Sequence, residues 1–576
     1  MTDTYIYPIY TELTECRDCY KCVRSCSTKS IKIENDHAVV IKEGCILCGK
    51  CINACPSKAK KVRNDIFLAK KLISENKKVI VSLAPSYKSV FNIKDSQLIA
   101  SIKKLGFFGV SETSIGADIV SEKCLELIKK TNNTLLISSA CPVVVEYIKK
   151  YRPEYIDNLT PFHSPLLTHC KFLKEYYKNT FDEEITIIFA GPCIAKKIEA
   201  DNNPEILDGA LSFNDLKTWL AEENIDLNNQ EENPADIFIP HNSTSGIFYP
   251  VDGGMNSTLC NSASCIDKKF ISISGLDNMK NILSKLNKSN DIFLELLACE
   301  GGCINGPEIK SGNIIEKRLK IITQKAEKHN NHKNVNIDIT SKFITASTLP
   351  KDFDEILIKE KLKLIGKYSS KDEINCGGCG YDNCKDFAKA LILNKAEIPM
   401  CVTYMRQLAQ KKAALLLKKM PSAVIMVDDK LRILEANERF AKLFDYDLIY
   451  EAKPGLEGVD LKKLVSFYNY FENVLSTNNE LNNHQIKYKS KVLNLTIFVI
   501  EPNKIISAII SDVTEPSIQK DEIANRAKLV IDKNIKTVQK IAYLLGENAS
   551  ETEIILQSMI DLLLKPENSL KNNRPS

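Results

Sequence analysis

The 576-residue chain is 44% hydrophobic and 26% charged, as in ordinary globular protein, and its length calls for several domains. With 78 basic and 73 acidic residues the net charge is only +5, which gives no basis for a nucleic-acid or anionic-membrane partner. No apolar run approaches the roughly 18–20 residues of a membrane span, and Met1 to Tyr7 shows no basic region followed by an apolar core, so a cytoplasmic address is expected.

Twenty cysteines are many for such a chain, and without a secretion signal a disulfide framework is not expected. Sixteen fall into patterned groups, leaving Cys124, Cys170, Cys260 and Cys265 over. Metal ligation is the natural reading. In residues 1–66, Cys16, Cys19, Cys22 and Cys26 repeat as Cys45, Cys48, Cys51 and Cys55, the last followed by Pro56. The doubled pattern resembles the bacterial two-cluster ferredoxins, although Ser27 replaces the proline in the first repeat. In such proteins the fourth cysteine serves the other cluster. That implies one 4Fe–4S cluster on Cys16, Cys19, Cys22 and Cys55 and a second on Cys45, Cys48, Cys51 and Cys26. Structural zinc is the alternative for any such cysteine pair.

Residues 67–345 read as alternating strands and amphipathic segments, an α/β pattern with largely parallel sheets. Lys78–Leu83 ends in Ala84-Pro85-Ser86, and Thr134–Ser139 ends in Ala140-Cys141-Pro142. Ile185–Ala190 ends in Gly191-Pro192-Cys193, and Ile292–Leu297 ends in a glycine-rich turn carrying Cys299 and Cys303. Ligands in such folds bind beyond the carboxyl ends of strands, so these four cysteines are candidates for another cluster. Cys141 and Cys193 taken singly read equally well as buried thiols.

Three of these segments, Ser139–Pro142, Gly191–Glu199 and Glu295–Pro307, resemble the signature motifs of the iron-only, or FeFe, hydrogenases. Further matches are Ala84–Ser86, Gly116–Asp118, Ser164-Pro165 and Gly253–Met255. The resemblance implies an H-cluster, in which Cys141, Cys193, Cys299 and Cys303 hold a 4Fe–4S cubane. Cys303 would bridge to a two-iron subsite carrying CO, cyanide and a dithiolate, installed by maturation proteins. Pro85, Ser86 and Lys196 match positions that contact the cyanides. The chain also departs from the family. Ala140 stands where the productive enzymes carry a proton-relaying cysteine, and a methyl group can neither accept nor donate a proton. Leu166 and Leu297 replace a glutamine and a methionine, Gly191 replaces a second methionine, and the third motif is shorter than usual.

Of the spare thiols, Cys124 reads as core, Cys170 as packed or as a substitute relay, and Cys260 and Cys265 as structural. His163 and His169 read as hydrogen-bonded structure rather than ligands.

In residues 346–408, Cys376, Cys379 and Cys384 precede an amphipathic stretch from Asp386 to Asn394, and Cys401 follows. This resembles the small 4Fe–4S domain of corrinoid iron–sulfur proteins and ion-pumping ferredoxin oxidoreductases, with zinc as the alternative. Residues 409–516 offer a strand and turn over Ala423–Lys430, strands at Leu431–Ala436, Leu493–Ile500 and Ile505–Ile510, and a helix capped by Asn437. Their order and the closing Asp512-Val-Thr-Glu515 resemble a PAS sensory domain. Residues 517–576 carry a short heptad seam on Ile531, Ile535, Val538, Ala542 and Leu545, read as a homodimerisation or output helix.

The fold class expected is multidomain α/β and α+β. The functional expectation is a sensory hydrogenase-like protein of low turnover that binds H2 and relays a redox signal through its clusters to the PAS domain and an unknown signalling partner. The alternatives are a working hydrogenase partnered by ferredoxin or another redox protein, and an iron–sulfur electron-transfer protein without a diiron subsite.

Overall fold

The structure is a computed structural model. It describes residues 6–514 apart from 76–77, 132–133, 231–232, 262–267, 287–290, 310–311, 327–336 and 347–352. The seam expected at 531–545 lies outside the described residues. The chain divides into two units, Met1–Glu397 and Ile398–Ser576. Among the described residues no helix is long and apolar enough to cross a membrane.

The first unit opens with two copies of one cysteine loop. Short helices Lys21–Ser25 and Lys50–Ala54 carry Cys22 and Cys51 and end at Cys26 and Cys55. Strands Ile9–Thr11 and Lys60–Val62 pair antiparallel, as do Ile31–Glu34 and His37–Val40. The repeat extends to the backbone. Asp18 and Leu47 are left-handed at matching positions, as are Tyr20 and Gly49, and Lys29 and Lys58. Non-glycine residues there cost about 1–3 kcal/mol each, a strain kept where a chain is clamped around something.

Two parallel sheets follow. One has the order Gly109–Glu112, Val79–Leu83, Thr186–Gly191, Gly209–Ser212. The other has the order Lys269–Ser274, Ile292–Leu297, Leu136–Ile137. Val79–Leu83, Thr186–Gly191 and Ile292–Leu297 are buried at every position, because elements cover both faces of a parallel sheet. This explains why these strands are mostly apolar, with Ser82, Thr186 and Glu295 as buried exceptions. The strand expected at Thr134–Ser139 is confined to Leu136–Ile137. The helix Asp95–Lys104 is one of the amphipathic segments between the strands, and its Leu98, Ile99 and Ile102 join the core. Near the end of the unit, Asn383 caps the helix Cys384–Ile392 by accepting from the Asp386 amide.

The second unit places helix Val402–Lys419 before a five-stranded antiparallel sheet. Its order is Ile433–Ala436, Ala423–Asp428, Ile505–Asp512, Lys491–Glu501, Leu481–Tyr488. Asn437 is 3% exposed and does more than cap its helix. Its Oδ1 accepts from the Phe440 and Val424 amides, and its Nδ2 donates to the carbonyls of Leu417 and Ser422.

Candidate metal centre

Four segments converge at the carboxyl ends of the parallel strands. Val79–Leu83 runs through Ala84 into a turn opened by Pro85, whose ring presets φ. Leu136–Ile137 leads to Ala140 and Cys141, after which Pro142 starts the helix Pro142–Tyr151. Thr186–Gly191 leads to Cys193 and the helix Ala195–Asn202, and Ile292–Leu297 leads to Cys299 and the turn Cys303–Asn305. One cavity is lined by Cys141, Cys193, Cys299 and Cys303 together with Pro85, Ser86, Ala140 and Lys196. Leu166 and Leu297 also line it, whereas Gly191 is not among the lining residues.

Burial pushes the Cys193 thiol up to about 12, and Cys141 beside it adds to the effect. Burial raises Cys299 as well, followed by its neighbours Cys303, Cys193 and Cys141. Such thiols stay protonated at neutral pH unless a metal takes the proton's place, because a coordinating thiol is deprotonated outright. Lys196 Nζ donates to Ser164 Oγ at 3.0 Å and pairs with Glu199. Ser86 Oγ is buried with no hydrogen-bond partner among the described residues.

The turn between Cys299 and Cys303 is held tightly. Gly302 has φ +102°, and a Cβ there would stand 2.3 Å from the Pro250 carbonyl oxygen. The Gly301 amide donates to Ser274 Oγ at 3.0 Å, and Ser274 Oγ donates to the Asp252 carboxylate at 2.9 Å. Asp252 and Ser274 escaped the sequence reading; the one local signal is that Asp252 adjoins Gly253-Gly254.

The ferredoxin-like cysteines gather in two groups. Burial pushes Cys22 up to about 11, and its neighbouring thiols include Cys19, Cys55 and Cys16. Burial pushes Cys45 up to about 12 and Cys48 to about 11, and both lie near Cys26. Cys51 is raised by burial and sits by Cys45, Cys48 and Cys26. The second loop lies against the cavity segments. Gly49, at φ +76°, faces Pro307 so closely that a Cβ would be 2.4 Å from the proline Cβ and 3.0 Å from Ile194 Cδ1. Cys48 is also among the thiols raising Cys299.

In the small cysteine segment Cys376 is exposed, and Cys379 and Cys384 are half-buried. The Cys384 amide donates to Asn375 Oδ1 at 2.8 Å. Cys401, in the second unit, is buried at the start of the helix Val402–Lys419. Among the described residues no three His, Cys, Asp or Glu side chains form a site for a single metal ion. A cubane has four iron corners, and each cysteine takes its own.

The spare residues sort by burial. Cys124 and Cys170 are fully buried core thiols, and neither lines the cavity. His169 is fully buried, with Nδ1 2.8 Å from Ser82 Oγ and Nε2 2.9 Å from Ser111 Oγ, and burial pushes it down to about 3. His163 is half-buried. Cys260 is exposed at the end of the helix Gly254–Asn261, which does not suit the structural role expected of it; Cys265 lies outside the described residues.

Residues 77–307 match the family described as iron only hydrogenase large subunit, C-terminal domain. Residues 412–479 match the PAS domain family. The chain carries an iron-only hydrogenase large-subunit domain and a PAS domain. Ahead of the hydrogenase domain, residues 8–64 match a 4Fe-4S dicluster domain, and behind it residues 372–403 match an Fe–S cluster family. Iron hydrogenase 1 of Clostridium pasteurianum is 26% identical over 295 residues, 41% of this chain and 50% of its own length. The chain thus spans about half the length of that relative. Protein NAR1 of Arabidopsis thaliana is 23% identical over 310 residues, covering 41% of this chain and 65% of that protein. A solved FeFe-hydrogenase from Chlamydomonas reinhardtii aligns with 50% of this chain and 100% of its own at 16% identity, with a TM-score of 0.37.

Proposed function

We propose that this protein is a sensory hydrogenase-like protein that binds H2 at an H-cluster with little turnover. It passes the resulting change of redox state through iron–sulfur clusters towards the PAS domain. The observation that carries this reading is the composition of one cavity wall. Four half-buried cysteines, Lys196 and Ser86, whose hydroxyl has no partner among the described residues, share it with Ala140, which cannot relay a proton.

The residues present fit the group. Cys141, Cys193, Cys299 and Cys303 would hold the cubane, and Cys303 would also serve the diiron subsite. When bound, that subsite supplies the metal chemistry of H2. The protein's own part is to position and to exclude. Ser86 Oγ–H and the Lys196 ammonium are donors suited to anionic ligands, and such hydrogen bonds tune a metal centre. Pro85 and Leu166 present apolar surface that limits water. Ala140 withholds the proton transfer that a cysteine would perform, and loss of such a group costs about 10²–10⁴-fold in rate.

The remaining clusters would sit on Cys16, Cys19, Cys22 and Cys55; on Cys26, Cys45, Cys48 and Cys51; and on Cys376, Cys379, Cys384 and Cys401. Partners on this reading are H2, ferredoxin or another redox protein, the maturation proteins of the diiron subsite and a signalling partner, with a homodimer formed through residues 517–576. A second reading, an iron–sulfur protein with no diiron subsite, is favoured by the similarity to proteins named as cytosolic Fe-S cluster assembly factors. Infrared spectroscopy of protein produced with the maturation system separates the two. CO and cyanide bands support the sensor, and their absence sinks it; rapid H2 oxidation with methyl viologen would instead make the protein a working hydrogenase.

A further inference from the structure

The cysteine loop 376–384 is packed on the first ferredoxin helix. Gly380, at φ +92°, meets Lys21–Ser25 so closely that a Cβ would stand 3.1 Å from Val23 Cγ1 and 3.2 Å from the Arg24 amide nitrogen. A single guanidinium joins the two cysteine loops: Arg24 Nη2 donates to the Cys19 carbonyl at 2.9 Å and Nη1 to the Gly378 carbonyl at 3.4 Å. Lys29 Nζ stands 3.9 Å from the Asp382 carboxylate and 6.0 Å from the centroid of the Tyr381 ring. Tyr381 is 5% exposed, and its hydroxyl is buried with no partner among the described residues. The ring therefore faces the ferredoxin region through Lys29.

The second ferredoxin loop is engaged elsewhere. Gly49 lies on Pro307 and Ile194, and Cys48 is a neighbour of Cys299. One cysteine loop of the ferredoxin region thus faces the hydrogenase cavity while the other region's helix takes up the loop around Cys379.

We propose that loop 376–384 and helix Lys21–Ser25 form an electron-transfer contact, with Arg24 and Tyr381 as its positioning residues, so that the ferredoxin region is the middle of a series from the hydrogenase cavity to the Cys376, Cys379 and Cys384 centre. With 4Fe–4S clusters held by the cysteines of both loops, one electron would pass from the reduced to the oxidised cluster across this contact, with no bond made or broken and no proton transferred. Arg24 suits the role because its rigid fork holds two carbonyls at once without titrating. This rests on the iron–sulfur part of the function proposed above and not on the diiron subsite.

The test uses the full chain reconstituted with iron and sulfide, reduced with dithionite and examined by electron paramagnetic resonance. Cys379→Ala with Cys384→Ala should lower bound iron by one cluster and remove a spin–spin interaction from the ferredoxin signals. Gly380→Val should keep the iron content and weaken that interaction by wedging the contact open. Arg24→Gln, on an exposed surface contact, should weaken it without a bulky insertion, so that misfolding of the first variant does not decide the matter. An interaction unchanged in all three variants overturns the proposal, as does iron unchanged in the double-alanine variant, which would mark the loop as a zinc site. Missing CO and cyanide bands would remove the hydrogen-sensing reading and leave this result standing.

Discussion

The ammonium of Lys197 lies 2.9 Å from Asp65 Oδ2 and 2.8 Å from Asp215 Oδ2, with its side chain 1% exposed. Asp65 belongs to the segment leaving the ferredoxin region and is also paired with Arg63, which reaches Asp201 at 2.9 Å. Lys197 stands on the helix that follows Cys193. The network therefore ties the ferredoxin exit to the helix beside the cavity.

Removing one partner of a buried ion pair leaves an uncompensated charge and costs about 3–5 kcal/mol. Lys197→Met is expected to lower the thermal midpoint of the first unit by several degrees, read by calorimetry. Lys71→Ala, which breaks an exposed 3.8 Å pair with Glu75, should cost no more than about 1 kcal/mol. Equal midpoints for Lys197→Met and the parent protein would remove the clamp from the account.

Gly302→Ala would place a methyl group 2.3 Å from the Pro250 carbonyl in a backbone conformation that disfavours L side chains. The turn carrying Cys299 and Cys303 must then distort. Iron analysis and optical spectra should show loss of the hydrogenase-domain cluster with the ferredoxin signals kept. Full iron occupancy in this variant would contradict the tightness of the turn.

Ala140→Cys restores a titratable thiol at the cavity wall. If the lost relay limits turnover, methyl-viologen-linked H2 oxidation should rise by roughly 10²-fold or more. A rate within a factor of two of the parent's, with CO and cyanide bands intact, would place the limit elsewhere.

Two buried groups shift stability with pH in opposite directions over overlapping windows. Glu112, though it accepts from the Ser243 amide and hydroxyl, is pushed up by burial from 4.5 to about 7. Between those values the folded state keeps a proton that the unfolded state has lost, so stability falls as pH rises, by up to about 3 kcal/mol. His169 is pushed down by burial from 6.5 to about 3. There the unfolded state holds the extra proton, so stability is lost as pH falls through that window. Denaturant titrations between pH 4.5 and 6.5, where the two windows overlap, should show the slope of stability against pH become more positive in Glu112→Gln and more negative in His169→Asn. Unaltered slopes would mean that neither burial penalty operates.

The parallel strands, the helix Asp95–Lys104 and the Asn437 cap were legible in the sequence because each is a local pattern of burial or capping. Strand Leu481–Tyr488 was not. It is an edge strand with only Ile486 buried, so it carries no apolar alternation. The helix Asn469–Thr477 was missed as well, although Phe471, Val474 and Leu475 are buried at helical spacing.

By itself, the sequence determined the doubled cysteine register, the strand-end positions of Cys141, Cys193, Cys299 and Cys303, and the absence of a thiol at Ala140. These are properties of spacing and residue type within short segments. Only the tertiary structure decided that those four cysteines line one cavity, that Gly49 abuts Pro307, that Lys197 clamps Asp65 and that Gly380 rests on Val23. The reason is physical. Periodicity and turn chemistry report what a segment does with its own neighbours, whereas a contact between distant segments depends on how sheets and helices fill a common core.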